Sequence, residues 1–175
     1  MSVPLILYSL IGLGLFYFQN LVLFPQVHLS PVNLLVFYVG LKHPLPLALA
    51  LAAVMGVLAD SYALTPLGLH IIGSLILVGA ARFSRRRFLM QHLGPQILAC
   101  LGALTLQGLG LSLILFIIEP QGFMAEDWLT YQGLEIFGTT ALAPLMFSLF
   151  VSLEKVMRRW GGSAGSPVTP SQPMT

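Results

Sequence analysis

The chain has 175 residues, 57% of them hydrophobic and 8% charged, where an average soluble domain carries about 25% charged residues. This excludes a soluble globular protein, and the length, filled by five or six membrane helices of about 20 residues each, leaves no room for a separate soluble domain. The net charge of +2, from 8 basic and 6 acidic residues, gains meaning only once the charges are placed by side of the membrane, and the single cysteine, Cys100, excludes an internal disulfide.

The expected fold is therefore an all-α integral membrane protein, with one polytopic domain over residues 1–160 and a short tail. Residues 3–24 carry no charge and form the first expected span. No Lys or Arg precedes them and no small-residue cleavage pattern follows, so this segment is expected to remain as a helix. A linker bracketed by Pro25 and Pro31 leads to residues 32–41, a largely apolar segment that would rise only about 15 Å as a helix, half the hydrocarbon thickness. It either crosses with help from the linker or dips in and returns.

Residues 45–64 and 67–81 read as a helical hairpin. In its turn, Thr65-Pro66-Leu67-Gly68 reads as a helix start, with Thr65 as N-cap and Pro66 at the first helical position, where its missing N–H costs nothing. Ala52, Gly56 and Asp60 are spaced four apart, so they share one stripe of the first helix, and an acid on that small-residue stripe points toward protein. Arg82, Arg85, Arg86 and Arg87 close the hairpin. Residues 97–118 form the next span, with Ala99, Ala103, Gln107 and Gly110 along a face suited to helix contact. Residues 119–130 hold three acids and no base and read as a loop, with Trp128 and Tyr131 as interfacial aromatics. Residues 134–153 form the last span, kinked or loosened at Pro144, and the Gly-, Ser- and Pro-rich residues 161–175 read as a disordered cytoplasmic tail.

Loops rich in Lys and Arg stay in the cytoplasm. Six spans with the N-terminus inside place Lys42, the Arg82 to Arg87 cluster and the Lys155 to Arg159 cluster on that side, where the arginines also attract anionic lipid head groups. Five spans with the N-terminus outside satisfy the same rule. In the six-span arrangement Asn20, Asn33, Asp60, His70 and Glu135 gather toward the outer half of the membrane. Asp60 ends one helix close to Gly68 and His70 at the start of the next, whose N-terminus favours an acid. It either caps that helix and pins the hairpin, or its charge lines an outward cavity or a partner contact. Glu135 is either a polar helix start or a pocket wall.

Catalysis is not expected. Aspartyl chemistry needs two facing carboxylates and only Asp60 is well placed; Gly110-Leu111-Ser112 lacks the glycine that would follow a rhomboid-like serine. His28, His43 and His92 have no metal-ligand spacing, and no phosphate loop or other cofactor motif is present.

Three stretches resemble the bacterial rod shape-determining protein MreD family: Gly56-Val57-Leu58-Ala59-Asp60, then Pro66-Leu67-Gly68-Leu69-His70, then an apolar helix ending in the arginine cluster. The segment beginning Pro31-Val32-Asn33 is similar to that family's second-helix start, but departs from it in having Val32 and Asn33 where the family usually has an acid after the proline. The resemblance implies a six-helix bacterial inner-membrane protein with both termini cytoplasmic, similar in fold to the substrate-binding subunits of energy-coupling-factor transporters. It also implies a non-catalytic role in cell elongation and peptidoglycan synthesis, in complex with MreC and associated with MreB, RodA and the elongation-specific penicillin-binding protein, with no nucleic-acid partner. The rival expectation is a vitamin-binding transporter subunit of that same fold.

Overall fold

A computed structural model of the chain describes residues 2–23, 29–62, 68–87, 93–118 and 125–161. Among these residues there are six α-helices and no strand: α1 (Ser2–Phe18), continued by a π-helical turn (Gln19–Leu23), α2 (Pro31–Lys42), α3 (Leu45–Tyr62), α4 (Leu69–Arg87), α5 (Leu93–Ile118) and α6 (Ala125–Gly161). Three stretches are long and apolar enough to cross a membrane: Leu45–Tyr62, Gly94–Ile118 and Thr130–Lys155.

The short segment that sequence reasoning left undecided is the centre of the bundle. Helix α2 packs against all five other helices, and from Pro31 to Leu41 every residue except Asn33 is buried. A helix that is apolar all round has no solvent face to orient it, and surrounding it on every side is the arrangement that uses such a surface. Phe37 stacks on Phe147 of α6 with ring centroids 6.2 Å apart, and Tyr38 meets Phe150 at 5.3 Å. The outward faces of the other helices are apolar too, with Ile6, Leu10, Leu106, Leu113, Phe137 and Leu145 all more than half exposed.

Small residues set how closely the helices approach. The Ala52, Gly56 and Asp60 stripe is buried along its whole length. A Cβ at Gly56 would lie 2.6 Å from the Ile71 Cα and one at Gly40 would lie 2.9 Å from the Ala81 Cβ, so α3 and α2 both touch α4 almost backbone to backbone. This is how helices pack where lipid removes the hydrophobic drive between them. The expected contact face of α5 is likewise turned inward at Ala99, Ala103 and Gln107.

Three expected boundaries move. Helix α4 runs from Leu69: Gly68 before it has φ +100°, outside the α-helical region, and its carbonyl accepts the Ile72 N–H at 3.0 Å. Gly68 is therefore the residue at the cap, while Thr65 and Pro66 lie outside the described residues. Helix α5 starts at Leu93 rather than residue 97, because a proline in the first turn, here Pro95, removes an N–H that has no helical partner. Helix α6 starts at Ala125, inside the stretch expected to be a loop, and runs through Pro144 without a break. Glu126 and Asp127 are its second and third residues, positions where a helix N-terminus favours acids. Of the expected tail, residues 161–175, Gly161 ends α6 and residues 162–175 lie outside the described ones.

Candidate functional site

At one end of the bundle the C-terminus of α3 meets the N-terminus of α4, and Asp60 joins them. Its Oδ2 accepts the Gly68 N–H at 2.9 Å and its Oδ1 accepts the His70 N–H at 2.9 Å. The same Oδ1 lies 3.0 Å from His70 Nδ1. Two backbone donors left over at a helix start are thus satisfied by one carboxylate, whose charge faces the positive end of the α4 dipole. The side chain is 2% exposed, so Asp60 caps α4 from within protein. Both oxygens accept, which an amide could not reproduce: the Asn side chain offers one acceptor and turns a donor toward the other N–H.

His70, held by Asp60, forms part of the wall of a cavity of about 330 Å³, which Asn20, Asn33 and Glu135 also line. Four of the five polar residues expected to gather at this end therefore surround one space, and the fifth, Asp60, stands behind His70. The π-helical turn carries Gln19 and Asn20 to the wall, and Asn20 is steadied by donating to the Phe16 carbonyl at 3.0 Å. Such turns are common where a helix must aim side chains out of register.

Glu135 is a cavity wall, ten residues past the first residue of α6 and not at a helix start. It accepts the Ser30 hydroxyl. The Ser30 N–H donates to Thr139 Oγ1 at 3.1 Å, so the start of α2 is bolted to α6 by two polar contacts beside the cavity. Sequence reasoning did not assign Ser30, Ser74, Gln132 or Thr139 to this site and read Gln107 only as a helix contact. All five line the cavity. Gln107 and Ser74 are each 6% exposed, with no hydrogen-bond partner for their side chains among the described residues, so their polar atoms are left to the cavity. A signal existed in the sequence: uncharged amides within apolar runs are costly to bury unless they face one another or a polar space.

The opposite end holds the basic residues. His43 follows α2; its ring accepts or donates to the Tyr8 hydroxyl at 2.8 Å, and its carbonyl accepts from Arg82. Arg82 is therefore committed to the corner between α2 and α3, and His43, expected to be an unremarkable loop histidine, ties α1 to that corner. Arg85 lines a groove between helices. Arg86 and Arg87 end α4. Cys100 is buried and free, and no group of three potential metal ligands occurs among the described residues.

Comparison with family models, with curated proteins and with solved structures finds no match for this chain.

Proposed function

We propose that this protein is a non-catalytic component of the bacterial cell-elongation machinery, of the MreD kind, lying in the inner membrane with six spans and both termini in the cytoplasm. The observation that carries the reading is the hairpin of α3 and α4. The residues on which the resemblance rests act there as one unit: Gly56 admits the backbone of α4, Gly68 turns the chain, and Asp60 caps the new helix while holding His70. Such a unit gives a rigid surface and no chemistry, which suits a protein that organises others. In this reading MreC is the direct partner, with MreB, RodA and the elongation-specific penicillin-binding protein in the wider complex. The cavity faces outward and the basic end faces the cytoplasm, as loops rich in Lys and Arg require.

The test is to express the chain in a rod-shaped bacterium lacking its own MreD and to quantify cell shape, membrane abundance and recovery of MreC by pull-down. Rods with MreC recovered are expected. Round cells at normal abundance, with no MreC recovered, contradict the proposal.

The cavity itself favours a second reading, a substrate-binding subunit of a vitamin transporter, because about 330 Å³ walled by amides, a histidine and a glutamate is of ligand-site size. Purification with a bound vitamin and a coupling ATPase would establish that reading in place of the first.

A further inference from the structure

At the end opposite the cavity, an open groove of about 550 Å³ collects Lys42 from α2, Arg85 from α4 and Lys155 from α6. Glu154 is the one acid that lines it, and its Oε2 already accepts the Tyr38 hydroxyl at 2.9 Å. The Lys42 ammonium stands 4.9 Å from the centroid of the Tyr38 ring, a cation–π placement that holds it at the groove wall. Lys42 and Arg85 lie near helix C-termini, where a cation is favoured in any case. Lys155 does not, since α6 continues to Gly161. Three cations drawn from three helices outnumber the one carboxylate, so the groove keeps a positive excess that an anion would offset.

Apolar side chains, Leu41, Phe147 and Val151, line the groove beside these charges. Cations side by side with apolar side chains match a molecule with an anionic head and a hydrocarbon tail. We propose that this groove binds the phosphodiester head group of an anionic lipid, with Arg85 offering its two-pronged guanidinium to the phosphate and the two lysines adding charge. Basic pockets between membrane helices take such head groups. The site is independent of the shape-determining role.

The experiment is native mass spectrometry of the purified full-length chain titrated with phosphatidylglycerol, with phosphatidylethanolamine of the same acyl chains, and with soluble glycerol phosphate. Phosphatidylglycerol should be retained several-fold better than phosphatidylethanolamine, and glycerol phosphate should not be retained. Neutralising the groove with Lys42→Gln, Arg85→Gln and Lys155→Gln should weaken phosphatidylglycerol binding by about fivefold per cation removed. If the triple variant is not recovered as monodisperse protein, Lys155→Gln alone carries the test, with the same fivefold loss expected. Equal retention of the two lipids, or undiminished binding by the groove variants, would overturn the site. Glycerol phosphate bound as well as the lipid would overturn the lipid assignment.

Discussion

The two ends of the bundle are both polar, but they are built differently. At the cavity end three of the polar groups are held by backbone or by one another: Asp60 by two N–H groups, Glu135 by Ser30, Thr139 by the Ser30 backbone. At the basic end the charges ride on long side chains at an open groove, and among the described residues only Arg82 is tied down through a backbone carbonyl. Enclosed polar groups hold a fold because each unmet donor or acceptor costs free energy, whereas open cations contribute little to stability and are free to meet a partner. Changes at the cavity end should therefore cost stability, and changes at the basic end should mainly cost binding.

The largest effect is expected where the cavity end can be broken without touching a polar residue. Gly56→Leu places a side chain against the Ile71 backbone, which cannot retreat as a side chain would, and should destabilise the protein by about 3 kcal/mol or more; membrane abundance and unfolding in detergent measure it. Wild-type stability in this variant would mean that α3 and α4 do not touch at that point.

Next is the cap. Asp60→Ala leaves the Gly68 and His70 N–H groups without their acceptor and should cost about 2–4 kcal/mol. Asp60→Asn should fall between, at about 1–2 kcal/mol, because it meets one donor and opposes the other. The unfolding midpoints of the pair, measured side by side, sharpen the point: an Asn variant as stable as wild type would leave only one of the two backbone contacts standing.

A smaller loss is expected at the other end, where Tyr38→Phe removes the hydrogen bond to Glu154 and should cost about 1 kcal/mol. A loss as large as that of Asp60→Ala would erase the distinction between the ends. Truncation after Trp160 should change stability by less than about 0.5 kcal/mol and leave membrane insertion intact, as judged by fractionation; failure to insert would give the tail a structural task.

The sequence made the basic end legible because four arginines within six positions are a local signal that needs no fold to interpret. The Asp60 hairpin was legible for a related reason, since residues on either side of one tight turn must meet. The cavity was half legible. Asn20, Asn33, His70 and Glu135 lie near the ends of apolar runs, so counting spans brings them to one level. Gln107 and Ser74 lie inside their helices, and which way they face depends on helix rotation. Nothing in an almost uniformly apolar helix reports rotation, because the contrast between faces that marks an amphipathic helix is missing when one face meets lipid and the other meets protein. The same uniformity hid the role of α2, whose shortness suggested an incomplete span and whose place is the core. Helix α6 was shortened in reading because acids at its start look like loop residues until the helix they begin is seen.

In the proposed orientation the cavity and the basic groove lie on opposite faces of the membrane. Cys100 is fully buried, so Cys100→Ala gives a silent background for single cysteines at Tyr62→Cys, beside the cavity, and Lys155→Cys, at the groove. Spheroplasts treated with a membrane-impermeant maleimide should label the first at once and the second only after permeabilisation. Labelling of both from the same side, or of the groove position alone from outside, would contradict the account.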